Sequence, residues 1–84
     1  MNGEFSVYQF LDGDIQECVR SFVDAEEAVT AARHYTDNVA AKMGITKRVI
    51  ITDGGDHCVF EWLAGQGVVF PTPEQRAAVS ATNG

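Results

Sequence analysis

The sequence predicts a single small α+β domain in which two β-hairpins flank one long helix. The chain has 84 residues, enough for one domain. Its hydrophobic content of 45% is typical of a folded chain. Apolar residues follow strand spacing, then helix spacing, then strand spacing again, which gives the order ββαββ. We therefore expect one sheet with a single long helix packed on one face. The domain should span residues 1–71, with 72–84 as a C-terminal tail, either a short helix or disordered.

The first hairpin is predicted by the Asp12-Gly13 dipeptide between two strand-like runs. Residues 5–11 are rich in aromatic and β-branched side chains, and a partner strand follows from about 15 to 22. A two-residue loop would pair Phe10 with Ile15. A three-residue loop would instead place these side chains on one face: Phe5, Val7, Leu11, Ile15 and Val19. The sequence leaves both registers open, and a slip of one residue exchanges the two faces of the strand.

The helix has a start signal and a stop signal. Asp24 is a good N-cap, and Glu27 three residues later completes a capping box. Gly44 suits the left-handed position after the last helical turn, with Ile45 as its apolar contact. The predicted core arc is Ala25, Ala28, Val29, Ala32, Tyr35, Val39, Ala40 and Met43. Because alanine dominates this arc, the helix can lie close to a sheet.

The second hairpin follows from composition. Residues 48–52 and 57–63 read as strands, and Asp53-Gly54-Gly55-Asp56 between them reads as a turn. Residues 68–70 can add a short fifth strand, which Pro71 ends because proline has no N–H for a β-ladder.

Several segments together carry a family resemblance. These are RVIITDGGD at 48–56, FEW at 60–62, GQGV at 65–68, Pro71, YQF at 8–10 and RHYT at 33–36. The pattern, which spans most of residues 5–71, resembles a group of short uncharacterised proteins of soil α-proteobacteria. No activity, ligand or catalytic residue is known for that group. The resemblance therefore implies a bacterial cytosolic protein and transfers no functional site.

Charge and cysteine content restrict the partners. Twelve acidic residues against six basic ones give a net charge of −6, which opposes binding to nucleic acid or to anionic membranes. A partner attracted by charge would be a basic protein. The segment Met1-Asn2-Gly3-Glu4 has no basic start and no apolar core, so we expect no signal peptide. No apolar run approaches the length of a membrane span, so we expect a cytoplasmic protein. Cys18 and Cys58 are too few for a disulfide scaffold, and we expect two buried, unreactive thiols.

The candidate sites for chemistry have simpler structural explanations. Asp53, Asp56, His57 and Cys58 include metal-binding residue types, but adjacent residues 57 and 58 point to opposite sides of a strand. The aspartates are also typical of a turn, so we predict no metal and no cofactor. His34 lies on the polar face of the helix without a partner for general base catalysis.

The only basic cluster is explained by its place after the helix. Lys42, Lys47 and Arg48 lie near the helix C-terminus, where cations interact favourably with the helix dipole. Binding of nucleic acid would need more phosphate contacts than this set offers.

The strands of the second hairpin are apolar on both sides. One helix covers one face of a sheet, so the other face needs the C-terminal segment or a second protein, and we favour a homodimer. The interface candidates are Phe60, Trp62, Val59 and Leu63. Trp62 is the preferred anchor, since tryptophan is enriched at interface hot spots. The alternative register puts Phe60 and Trp62 under the helix and Val59 and Leu63 outward.

We therefore favour a non-enzymatic binding or interaction protein that self-associates through its sheet face. The alternative is a small-molecule-binding or catalytic unit with a site between the helix, the hairpin tips and a second subunit. An enzyme should bring two or more of the following residues around one cavity: His34, Asp53, Asp56, His57 and Cys58.

Overall fold

The computed structural model describes residues 3–71. The strands are β1 (Phe5–Leu11), β2 (Ile15–Val23), β3 (Thr46–Thr52), β4 (Cys58–Leu63) and β5 (Gly67–Phe70), and the helices are α1 (Ala25–Asp37) and α2 (Val39–Lys42). All five strands form one antiparallel sheet in the order β2-β1-β3-β4-β5. The predicted α+β fold is confirmed. The predicted tail, 72–84, lies outside the described residues.

The first hairpin has the three-residue loop, the second of the two registers that the sequence allows. Leu11 pairs with Ile15, and a short 3-10 turn of Asp12–Asp14 joins the strands. Gly13 and Asp14 both have positive φ, 78° and 62°. Glycine adopts this conformation freely and aspartate tolerates it. With this register Val7 faces α1 and Tyr8 faces the opposite side of the sheet.

The start of α1 is the predicted one. The Glu27 N–H donates to Asp24 Oδ1 over 2.8 Å, which satisfies one of the unpaired donors of the first turn. The Glu27 carboxylate extends to Arg20 on β2, with Oε2 3.7 Å from Nε.

The predicted single long helix is interrupted at Asn38. Its backbone is extended (φ −78°, ψ 178°), and its side-chain Oδ1 accepts a hydrogen bond from the Ala41 N–H at 2.9 Å. Asparagine competes for backbone groups in this way, so it ends one helix and caps the next. Apolar spacing does not detect such a break, because the pattern resumes on its far side. Val39 and Met43 are consequently exposed, at 71% and 70%.

Gly44 ends α2 as predicted. Its φ is +79°, its N–H donates to the Ala41 carbonyl, and the Ile45 N–H donates to the Ala40 carbonyl. These two bonds form a Schellman motif, which satisfies carbonyls that the helix leaves without partners.

The core lies between α1 and three strands. Its buried members are Val7, Val49 and Ile51 on the sheet and Ala28, Ala31 and Ala32 on the helix. The alanines let α1 lie close to β1, β2 and β3, as the sequence suggests. Within residues 3–71, no helix is long and apolar enough to cross a membrane.

Candidate functional site

The sheet side away from α1 carries two cross-strand rows of side chains. Residues paired across an antiparallel ladder point to the same side. The register of each strand pair therefore gives one row of Tyr8, Ile50, Glu61 and Phe70 and another of Phe10, Arg48 and Leu63. Together these seven residues are here called the open face. Six of them are half-buried and Phe70 is 37% exposed. The buried core residues Val7, Val49 and Ile51 alternate with them and point to α1.

A charged pair lies within the open face. Arg48 Nε donates to Glu61 Oε2 over 2.6 Å, a charge-assisted hydrogen bond between neighbouring strands. The Arg48 guanidinium also lies 4.9 Å from the centre of the Phe10 ring, within range of a cation–π interaction. The Arg48–Glu61 pair is thus a polar contact surrounded by the apolar and aromatic side chains of the open face. Aromatic residues and arginine are the types enriched at protein interfaces.

The four predicted interface residues divide between the two sides of the sheet. Phe60 pairs with Ile51 and Trp62 with Val49, and both pack against the core under α1. The structure therefore has the alternative register for these two aromatic residues. Leu63 lies on the open face, as that register requires. Val59 does not, because it lines a hollow together with Ala25 and Ala28 of α1.

A bulge at the start of β4 explains the position of Val59. Ile51 pairs with Phe60 and Thr52 with Cys58, which leaves Val59 as an extra residue between the two pairs. An extra residue interrupts the alternation of sides along a strand. If side chains alternated strictly along β4, Val59 would lie on the side opposite Phe60, which is the wrong side.

A groove runs beside α1 on the helix side of β4 and β5. Its main cavity of about 310 Å³ is lined by Val29, Ala32, Arg33, Thr36, Ile51, Phe60 and Val68. A second hollow of about 190 Å³ shares Val29, Ile51 and Phe60 and extends to Phe5, Ala25, Ala28 and Val59. These residues together define the α1–β4 groove. It exists because α1 packs mainly on β1, β2 and β3, with fewer contacts to β4 and β5.

The predicted turn Asp53–Asp56 is present at the tip of the second hairpin. Asp53 Oδ1 accepts hydrogen bonds from the backbone N–H groups of Gly55 at 2.9 Å and His57 at 3.0 Å. The bond from His57 and then that from Gly55 lower the pKa of the Asp53 carboxyl below 3.8. Among residues 3–71, no three His, Cys, Asp or Glu side chains are placed to hold a metal ion. The cluster acts here as a turn.

The cysteine prediction is wrong on burial, since Cys18 and Cys58 are both exposed free thiols. Cys18 lies within β2 and Cys58 is the first residue of β4. Each Sγ is 3.2 Å from a backbone carbonyl oxygen, that of Arg20 or Phe60 respectively. Strands β2 and β4 are separated by β1 and β3, so the two thiols are not neighbours and do not form a redox pair.

His34 lies on the β2 side of α1, away from the α1–β4 groove. It lines a polar hollow of about 320 Å³ with Arg20, Glu27, Thr30 and Ala31, and its ring packs edge-on against Tyr35 at 4.9 Å. Neither this hollow nor the groove is lined by a second residue of the set expected around an enzyme cavity. The convergence expected of an enzyme is therefore not seen in these cavities.

The open face and the α1–β4 groove are two candidate surfaces that the sequence alone did not indicate in this form. Tyr8 and Phe10 belong to the open face, and the strand alternation of β1 would have found them once the hairpin register was known. Arg33 and Val68 line the groove, and no local pattern singles them out. Comparison of the chain with family models, with curated proteins and with solved structures finds no match.

Proposed function

We propose that this protein is a non-enzymatic interaction module that forms a homodimer through the open face. One observation carries the proposal: aromatic and aliphatic side chains line the sheet on the side opposite α1. In residues 3–71, α1 is the one helix longer than a single turn, and it covers the other side. In a two-fold dimer the same face of each subunit would cover that of the other, which removes the apolar side chains of both from water.

The sheet side that carries the open face is large enough for a modest dimer. Its five strands, about 4.8 Å apart and about six residues long on average, give a footprint of about 500 Å² per subunit. Two such footprints reach the area of about 1,000 Å² that separates specific interfaces from incidental contacts. We therefore expect association in the micromolar range and not an obligate dimer.

We also propose that the protein is cytoplasmic and that a basic protein is the alternative partner. Two exposed thiols without a disulfide suit a reducing compartment, in keeping with a cytoplasmic protein of bacterial type. With a net charge of −6, a basic protein is the charge-complementary alternative to a second copy.

Light scattering coupled to size exclusion tests the dimer. We expect a mass near twice 9.1 kDa at concentrations of tens of micromolar. Leu63→Lys should give the monomer mass, because a buried ammonium without a partner opposes apposition of two sheets. Phe70→Lys, at a more exposed position, should act in the same direction with less risk to folding.

Two control variants separate assembly from folding. Val39→Lys adds the same charge at an exposed position of α2 and should leave the dimer intact. Trp62→Ala should lower the denaturation midpoint without changing the mass, because Trp62 packs on the helix side. A wild-type mass of 9.1 kDa throughout, or a dimer unchanged in both folded lysine variants of the open face, would overturn the proposal.

A further inference from the structure

The α1–β4 groove has the form of a small ligand site. It follows α1 from Ala25 to Thr36, a length of about 16 Å at the helical rise. Its floor is Ile51, Phe60 and Val68, and alanines on α1 leave space above that floor. The main cavity of about 310 Å³ is at the small end of the size range of ligand pockets.

One positive charge at this groove lacks a carboxylate partner within the described part of the chain. Residues 3–71 contain every lysine and arginine of the protein except Arg76. Four of these cations make ion pairs: Arg20 with Glu27, Lys42 with Asp37, Lys47 with Asp12 and Arg48 with Glu61. The remaining one, Arg33, lines the groove beside Thr36 and forms no ion pair with residues 3–71.

An apolar slot with an arginine at its margin is complementary to an amphipathic anion. The planar guanidinium binds a carboxylate through two parallel hydrogen bonds. A net charge of −6 repels multiply charged ligands more strongly than singly charged ones. These features favour a monoanion with an elongated apolar body over a phosphate ester.

We propose that the α1–β4 groove binds a small alkyl or aryl carboxylic acid. The carboxylate would bind Arg33, and the apolar body would pack on Phe60 and Val68. This site is on the helix side of the sheet, so it does not depend on the dimer formed through the open face. It also differs from the site predicted between the hairpin tips and a second subunit, since its lining residues lie on α1 and on the strands and not at the hairpin tips.

Titration of the full-length protein with decanoate, followed by NMR, tests the site. We expect saturable shifts of the methyl signals of Val29, Ile51 and Val68. Nonylamine has the same nine-carbon alkyl tail as decanoate and the opposite charge, and should bind at least tenfold more weakly. Arg33→Gln should weaken decanoate binding about tenfold, the usual size of a lost charge-assisted hydrogen bond. The matched control Lys42→Gln removes the same charge from α2 and should leave decanoate affinity unchanged.

Several outcomes would overturn the proposal. They include no saturable shift below the micelle concentration, equal loss of affinity in Arg33→Gln and Lys42→Gln, or shifts confined to the open face. If the methyl signals of the groove shift with protein concentration and not with decanoate, the groove is occupied by a second copy of the chain. Contacts from residues 72–84 to the groove methyls that decanoate does not displace would make that segment the occupant. Because the open-face dimer is measured by mass, loss of either property leaves the test of the other intact.

Discussion

At the scale of single residues, Asp53 shows how one carboxylate organises a hairpin tip. Its Oδ1 holds the backbone N–H groups of Gly55 and His57, and both bonds favour the charged form. Because the pKa is lowered in the folded state, the resulting stability is fully present above pH 3.8. It is lost as the pH falls through the folded-state pKa.

We expect an NMR titration of Asp53 in the folded protein to give a pKa below 3.8. Asp53→Asn keeps the acceptor oxygen but removes the charge. The free energy of unfolding of this variant should therefore be lower than that of the wild type near pH 6. The two values should approach each other as the pH falls below 3.8. A titration midpoint at or above 3.8 would contradict the hydrogen-bonded turn as the cause.

At the scale of elements, the segment between α1 and β3 is governed by two caps. Asn38 ends one helix and begins the next, and Gly44 closes α2 with a φ of +79°. Within residues 3–71, no atom outside Gly44 and its two chain neighbours lies within 4 Å of the position that a Cβ of residue 44 would take. Any cost of adding a side chain there therefore comes from the backbone conformation and not from a steric clash.

Gly44→Ala should therefore destabilise the protein by about 1 kcal/mol, the cost of a left-handed conformation for a residue with a Cβ. Urea denaturation measures this loss from the shift of the midpoint, provided that the dependence of the unfolding free energy on urea concentration is the same in both proteins. Gly44→Asn is the matched control and should lose less, because asparagine tolerates this conformation. Equal losses for the two variants would show that the backbone conformation is not the cause.

At the scale of the whole molecule, charge and the proposed dimer oppose each other. Each chain carries a net charge of −6, so two chains repel when they associate. Raising the NaCl concentration from about 20 to about 300 mM shortens the screening length severalfold. We therefore expect the dimer dissociation constant, measured by sedimentation equilibrium, to fall with salt.

The monomeric Leu63→Lys variant serves as the control for this salt series, since its mass should not change. A dissociation constant that rises with salt would show that attractive charge pairs across the interface outweigh the net repulsion. In that case the Arg48–Glu61 pair would be the first place to look for an exchange of partners between subunits.

Local signals in the sequence predicted much of the fold because their causes are local. Asp24 caps α1 through a bond to a residue three positions away, Gly44 adopts a conformation that depends on its missing Cβ, and Asp53 satisfies its own turn. Each interaction lies within about four residues, so the identities of neighbours suffice to predict it.

The candidate site was less predictable because its geometry depends on pairing between distant segments. The three-residue loop at Asp12–Asp14 sets which side Tyr8 and Phe10 occupy, and the bulge at Val59 changes side assignments within β4. A shift of a single residue exchanges the faces of a strand. The sequence therefore gives the number of apolar side chains in the second hairpin, but it does not determine on which side of the sheet Trp62 lies.

The sequence by itself determined the order of the strands around the helical segment, the caps Asp24 and Gly44 at the two ends of that segment, and the excess of apolar strand residues. Tertiary structure alone decided that α1 lies over β1, β2 and β3, which leaves the α1–β4 groove beside it and the open face behind it. The physical reason is that an alanine-rich helix can pack closely at several positions on a sheet. Its place is selected by the combined contacts of Val7, Val49 and Ile51, residues that meet only after the strands have paired.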